Sequence, residues 1–80
     1  MSRIKCLVEE GLSPTERVVH ITTIDGSIEE VTVPASLVLS KSIVASIVGR
    51  DASNALVELP RESATGRWRL WVPAKELIEG

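Results

Sequence analysis

The chain has little of the chemistry on which catalytic or metal-binding domains depend. It contains one cysteine (Cys6) and one histidine (His20) among 80 residues. A single cysteine excludes a disulfide framework within the chain, and a single histidine without neighbouring ligands does not make a metal site. The five glycines are scattered, so the sequence has no glycine-rich phosphate loop. We therefore expect no metal and no cofactor, and structural roles for Cys6 and His20.

Two pairs of adjacent carboxylates, Glu9-Glu10 and Glu29-Glu30, are the remaining candidates for acid–base catalysis. Neighbouring residues on a strand point to opposite faces, so neither pair can flank one reacting atom. The sequence therefore predicts that both pairs lie at solvated strand edges and that the chain is not an enzyme.

A strong excess of one charge and a long hydrophobic run are also missing. Nine basic and eleven acidic side chains give a net charge of −2 and a pI near 5.3, which argues against a general polyanion binder. The longest uncharged stretch, residues 31–40, contains Pro34 and is far shorter than the ~20 residues that span a bilayer. No targeting segment follows Met1. We expect a cytoplasmic chain without membrane association, and nucleic acid is not the favoured partner.

The hydrophobic residues that are present favour sheet structure. Valine and isoleucine number 17 against eight leucines, and there is no phenylalanine or tyrosine. Side chains branched at Cβ fit a pleated, half-buried surface and lose rotamer freedom in a helix. Together with the length, this composition predicts one all-β domain over residues 1–80.

The hydrophobic pattern and the turn residues predict where the strands lie. Asp25-Gly26 tolerates the positive φ of a tight turn, so residues 17–33 should form a hairpin. Residues 13–16 read as a turn, and residues 73–78 as one helical or 3₁₀ turn followed by a short final strand. The expected strands are residues 4–9, 17–24, 27–33, 42–49, 55–59 and 67–72.

Residues 35–48 leave an alternative open. Leu39, Ile43 and Ile47 follow helical spacing, and a helix here would give an α+β fold with the helix packed on an antiparallel sheet. The β-branched residues of 42–48 favour a strand instead. That uncharged strand should be central in the sheet or covered by a partner, because an exposed one would aggregate.

Two stretches of the sequence resemble each other. Val33-Pro34-Ala35 is followed by Leu37, and Val72-Pro73-Ala74 is followed by Leu77. We interpret the match as recurrent local physics, in which proline ends the ladder and the leucine folds back on the core. An internal duplication remains open, since the match is short.

The C-terminal segment resembles the end of an SH3 domain. In residues 68–77, Trp68-Arg69-Leu70-Trp71-Val72-Pro73-Ala74-Lys75-Glu76-Leu77, a strand leads through a Val-Pro step into a single turn. The resemblance implies a small SH3-like barrel of five to six short antiparallel strands with a 3₁₀ turn near the C-terminus. The chain lacks the tyrosines that line the proline-peptide groove of SH3 domains, so the resemblance implies a fold and no ligand.

The last long strand carries the candidate binding site. Alternation places Trp68, Leu70 and Val72 inward, and it places Arg67, Arg69 and Trp71 outward. Arg50 and Arg61 on nearby turns could extend this cationic surface around an exposed aromatic. In the alternative interpretation, the arginines merely cover Trp71 and pair with Glu58 or Glu62.

The sequence therefore predicts a small binding module rather than a catalyst. The acidic pI and the surplus of valine and isoleucine favour protein–protein interaction or homo-oligomerisation. The alternative is nucleic-acid or small-anion binding through the arginine and tryptophan face of the last strand.

Overall fold

A computed structural model describes residues 2–79, which form ten short strands and two 3₁₀ turns. The domain is all-β, as predicted, and none of its described helical segments has the length and hydropathy of a membrane-crossing helix. The strands are β1 (Ser2–Lys5), β2 (Leu7–Glu10), β3 (Glu16–Thr22), β4 (Ile28–Pro34), β5 (Val38–Leu39), β6 (Ser42–Val44), β7 (Ser46–Asp51), β8 (Asn54–Glu58), β9 (Arg69–Pro73) and β10 (Leu77–Glu79). The 3₁₀ turns are Ala35–Leu37 and Ala74–Glu76.

The strands form three antiparallel sheets, with the orders β10-β1-β6-β5, β2-β3-β4 and β7-β8-β9. Two stretches that the sequence predicts as single strands are each broken and shared between sheets. Residues 4–9 break at Cys6, and residues 42–49 break at Ala45. Both breaking residues are buried, and each donates its backbone N–H to a residue just before the other stretch: Cys6 to the Lys41 carbonyl at 2.9 Å and Ala45 to the Ser2 carbonyl at 3.1 Å.

The expectation of a small barrel with five to six strands needs correction. The chain turns from one sheet into another at Cys6 and at Ala45, so the described strands are shorter and more numerous, and the three sheets do not close into a barrel. We call the β2-β3-β4 sheet and the β7-β8-β9 sheet the outer sheets. Single backbone hydrogen bonds join these two sheets and their loops. Ile24 donates to the Trp71 carbonyl at 3.0 Å, and Ala64 donates to the Glu30 carbonyl at 2.7 Å.

The helical alternative for residues 35–48 is wrong. This stretch contains a 3₁₀ turn, β5, β6 and the start of β7, with the strand residues extended as their β-branched side chains favour. The strand β6 lies in the middle of its sheet, between β1 and β5. The helical spacing of Leu39, Ile43 and Ile47 was coincidental, because these residues belong to three different strands.

The resemblance around the two Val-Pro-Ala segments extends to the hydrogen bonds of the backbone. Pro34 and Pro73 each end a strand and precede a 3₁₀ turn, with φ and ψ of −58° and 139° at one and −60° and 136° at the other. Ala35 donates to the Thr15 carbonyl and Ala74 to the Ser53 carbonyl, both at 2.8 Å. In each case the acceptor immediately precedes the strand that pairs with the proline-ending strand.

The loops that connect β3 to β4 and β8 to β9 contain the same five-residue turn. Gly26 and Gly66 have φ of +85° and +86°, the left-handed region that glycine adopts without strain. Each donates its N–H three residues back, to the carbonyls of Thr23 and Ser63. The N–H groups of Thr23 and Ser63 in turn bond the carbonyls of Ser27 and Arg67, at 2.9 and 2.8 Å.

The core confirms that the molecule consists of two equivalent halves, residues 2–39 and residues 41–79. Its buried cluster is made of six pairs, one member from each half at a separation of 38 or 39 residues in sequence. The pairs are Ile4 and Ile43, Cys6 and Ala45, Val19 and Val57, Ile21 and Leu59, Val31 and Leu70, and Val33 and Val72. Ile4 faces Ile43 in the β1–β6 ladder, so the two halves meet around this residue pair. The sequence match is therefore part of a whole internal repeat, which local physics at two prolines does not explain.

The repeat also corrects which residue covers the core after each proline. Leu77 packs against the core as expected, but its equivalent is Val38 rather than Leu37. Val38 pairs with Ile43 in β6, and Leu77 pairs with Ile4 in β1.

Candidate binding surfaces

The predicted site lies on the outer face of the β7-β8-β9 sheet. The ladder places Trp71 beside Leu56 and Leu56 beside Gly49, so these three residues form one row. Arg69, Glu58 and Ser46 form the next row. We call the surface made by Gly49, Leu56, Glu58, Arg69 and Trp71 the tryptophan face. Leu70 and Val72 point inward between these residues, at 1% and 0% exposure, so the predicted alternation holds along β9.

Trp71 is 38% exposed on the outer face of β9. Gly49 has no side chain to cover Leu56 from the far side, and a Cβ there would meet the Leu56 Cβ at 3.5 Å. The apolar row of the tryptophan face therefore consists of the exposed Trp71, the half-buried Leu56 and Gly49.

Arg69 is not free to act as an isolated cation. Its Nε lies 3.2 Å from Oε2 of Glu58 on the neighbouring strand, in an exposed ion pair. This pairing is the one that the alternative interpretation expects. An exposed pair of this kind contributes little to stability, about 0.2–1 kcal/mol. The face thus carries a cation and an anion side by side.

The other predicted site residues are dispersed. Arg50 pairs with Ala55, which is buried, and so belongs to the row on the opposite side of the sheet from Trp71. Arg61 is exposed in the segment between β8 and β9. Arg67 ends the five-residue turn, where its N–H bonds the Ser63 hydroxyl at 3.1 Å. Of the five residues, the ladder brings only Arg69 and Trp71 onto the tryptophan face.

The inward placement of Trp68 is wrong. Its side chain is 52% exposed, although its carbonyl accepts a hydrogen bond from Leu59 at 2.8 Å and so continues the ladder. Of the three alternating positions 68, 70 and 72, only Leu70 and Val72 belong to the core, so the core does not extend to Trp68. The equivalent residue in the first half is Glu29, a polar side chain, which shows that this position lies at the rim of the core.

Glu29 is buried, with 7% exposure, and its carboxylate is hydrogen-bonded to a residue of the second half. Its Oε1 accepts a hydrogen bond from the Thr65 hydroxyl at 2.6 Å, and this bond, with help from Ser63 and Arg67, holds the pKa of Glu29 below its usual range. Sequence reasoning assigned this residue to a solvated edge. The signal that was missed is the second-half turn, which is rich in hydroxyl groups.

A cleft of about 390 Å³ lies where the chain passes from β1 to β2, and sequence reasoning did not identify it. It is lined by Lys5, Cys6, Leu7, His20, Thr22, Lys41 and Glu76. Burial raises the pKa of the Cys6 thiol to about 11, against a smaller opposing effect of Arg3, so the thiol stays protonated at neutral pH. A protonated, buried thiol is a poor nucleophile. The structural role predicted for Cys6 fits its place in the core.

The His20 side chain, which lines this cleft, is hydrogen-bonded to Glu9. Its Nε2 lies 2.7 Å from Oε1 of Glu9 across the β2–β3 ladder. Thus each outer sheet carries an exposed cross-strand pair, Glu9 with His20 in the first half and Glu58 with Arg69 in the second.

Comparisons of the chain with protein-family models, with curated proteins and with solved structures found no match. The two surfaces described above are therefore interpreted from their own chemistry.

Proposed function

We propose that this protein is a small protein-interaction module that binds through the tryptophan face, and that a second copy of the chain is the partner this face fits. The exposed Trp71 beside the half-buried Leu56 is the observation that carries the proposal. Tryptophan is enriched among the residues that dominate protein interfaces, because a large rigid ring buries much surface at low entropic cost.

The equivalent surface of the first half supports a specific role for Trp71 and Leu56. Thr32 occupies the position of Trp71, and Val18 occupies that of Leu56. The first half forms the same sheet with a small polar residue there. The large indole is therefore not required by the fold, and its exposure is a property of the second half alone.

The charges of the face favour self-association over binding to a polyanion. Arg69 and Glu58 lie in one row, 3.2 Å apart. A twofold axis between two copies would place each arginine against the glutamate of the other copy, so the face is self-complementary. A polyanion would instead meet the Glu58 carboxylate and would have to displace it from Arg69.

Concentration-dependent association is the test. Sedimentation equilibrium from about 10 to 500 µM should show a monomer–dimer equilibrium, and Trp71→Ala should weaken it at least about tenfold, as loss of an aromatic anchor does. Thr32→Ala is the matched control, because it changes the equivalent exposed position of the first half. It should leave the equilibrium unchanged.

Three results would overturn the proposal. One is a wild-type protein that stays monomeric over this range, and another is equal weakening by Thr32→Ala and Trp71→Ala. The third is tight binding of a labelled oligonucleotide that is lost in Arg69→Gln and at raised salt, which would support the nucleic-acid alternative instead.

We also propose a non-enzymatic role, a cytoplasmic location and a kinship with SH3-like barrels. We infer a non-enzymatic role because the Cys6 thiol is protonated and His20 is engaged with Glu9. A cytoplasmic location is supported by the single unpaired thiol. Kinship with SH3-like barrels is supported by the Val-Pro step, 3₁₀ turn and short strand of residues 72–79, although residues 33–39 contain the same order of elements.

A further inference from the structure

Two lysines from separate parts of the chain line the cleft between β1 and β2. Lys5 ends β1, and Lys41 lies in the turn between β5 and β6. The backbone brings them together, because Cys6 donates its N–H to the Lys41 carbonyl at 2.9 Å. Among the side chains that the structure describes, residues 2–78, neither ammonium group has a carboxylate within 4.0 Å. Glu76 also lines the cleft and is its one acidic group in that set of lining residues.

The remaining lining is mostly uncharged. Cys6 is protonated, Leu7 is 65% exposed, and Thr22 adds a methyl and a hydroxyl group. An exposed leucine beside two unpaired ammonium groups suits a ligand with an apolar body and an anionic end. The volume of about 390 Å³ lies in the range of small-molecule sites.

The second half provides an internal control for these residues. There the chain makes the same break at Ala45, whose N–H bonds the Ser2 carbonyl as that of Cys6 bonds Lys41. The residues equivalent to the cleft lining are Ser2, Leu37, Val44, Ala45, Ser46, Glu58 and Pro60. None of these seven is cationic. The break between strands therefore forms without lysine at either position, and the fold does not require the charges of Lys5 and Lys41.

We propose that the cleft of the first half binds a small organic carboxylate, with Lys5 and Lys41 holding its charged end and Leu7 and Cys6 contacting its apolar body. Lysine is a point charge on a flexible stem, so two lysines can close on a carboxylate from two sides. The seven equivalent residues of the second half lack both cations and should not bind this ligand. The site is independent of the tryptophan face.

Titration with hexanoate, followed by amide chemical shifts, tests the site. We expect saturable shifts at residues 5–7, 20–22 and 41, with a Kd on the order of 1 mM. Hexanamide, which has the same body without the charge, should bind at least about fivefold more weakly, and raised salt should weaken hexanoate binding. Lys5→Gln and Lys41→Gln should each weaken it roughly fivefold or more.

Lys75→Gln is the matched control, because Lys75 is exposed next to Glu76 but does not line the cleft. It should leave hexanoate binding unchanged. The proposal fails if 20 mM hexanoate shifts none of the cleft amides, if hexanamide binds equally well, or if Lys75→Gln weakens binding as much as Lys41→Gln does. All three lysines are exposed, so their substitution should leave the melting temperature unchanged.

Discussion

The two halves of the molecule have the same order of strands and turns and matching core positions, but very different outer surfaces. Inward positions match closely, as Val33 and Val72 or Ile4 and Ile43 do. Outward positions diverge, since Thr32 and Glu30 of β4 stand where Trp71 and Arg69 of β9 do. Residues 1–40 carry three basic and six acidic side chains, and residues 41–80 carry six and five. The comparison shows that burial constrains the shared positions, whereas solvent-facing positions are free to differ in chemistry.

This difference makes each half a control for the other. A residue type that one half needs for its structure should recur at the equivalent position, as the left-handed glycines and the strand-ending prolines do. A side chain found in one half only is a candidate for function. Trp71 of the tryptophan face and Lys5 and Lys41 of the cleft are side chains of this kind.

The strongest test of equivalence is the residue pair at the junction of the halves. Ile4→Ala and Ile43→Ala each empty a site with 0% exposure, and each should lower the free energy of unfolding by about 3 kcal/mol. The two losses should agree within about 1 kcal/mol, as measured by urea unfolding. Leu39→Ala, at a 62% exposed position, is the control and should cost less than about 0.5 kcal/mol. A large loss at one isoleucine only would break the equivalence.

A smaller effect is expected at the two left-handed glycines. Gly26→Ala and Gly66→Ala force a side chain into φ near +85°, which should cost each variant about 1 kcal/mol. Gly49→Ala is the control, because a Cβ there meets Leu56 at an ordinary 3.5 Å and no positive φ is involved. Thermal melts of the three variants would measure the difference. If Gly49→Ala were the most destabilised, backbone strain would not be what the two turns share.

The smallest expected effect is on the pH dependence of stability, because the turns at Gly26 and Gly66 bind different carboxylates, Asp25 and Glu29. Asp25 lies within its own turn and accepts hydrogen bonds from the hydroxyls of Ser27 and Thr23, which lower its pKa. The other turn has Thr65 at that position and uses Glu29 of the first half instead. Both carboxyl groups have folded pKa values below the unfolded ones. Their stabilisation is therefore present above the unfolded pKa values, near 4, and is lost as the pH falls through the folded values.

Melting temperatures between pH 7 and pH 2.5 should consequently decline on the acid side. Thr65→Val removes the hydroxyl that donates to Glu29, and it should raise the pKa of Glu29 while leaving that of Asp25 unchanged. Carboxyl carbon chemical shifts would follow each group separately. Equal changes at both carboxyl groups would show that the turns are not independent.

Hairpin formation was predictable because its determinants are local. Residues 16–34 form the hairpin that Asp25-Gly26 and the alternating pattern indicate. The outward placement of Trp71 followed from the same alternation, and so did the exposed Arg69. The sequence left open whether an outward arginine would pair with Glu58 or Glu62, and the ladder register places Glu58 opposite Arg69.

Other features depend on contacts that no local pattern encodes. The breaks at Cys6 and Ala45 occur because each stretch pairs with different strands on its two sides of the break. Trp68 is exposed because the core ends at Leu70, and the extent of a core depends on what the opposite half contributes. The cleft was missed for the same reason, since Lys5 and Lys41 are distant in sequence and are brought together by the pairing of β1 with β6 and by the Cys6–Lys41 hydrogen bond.

The amino-acid sequence by itself determined that the domain is all-β, where the hairpin of residues 16–34 turns, and which side chains of β9 face outward. Those properties follow from residue type, φ preference and a period of two along each strand. The tertiary structure decided that two halves pair around Ile4 and Ile43, that the sheets stay separate, and that charges gather on one side of the repeat. These depend on which strands pair across nearly forty residues, and long-range pairing is set by the packing of the whole core rather than by any single segment.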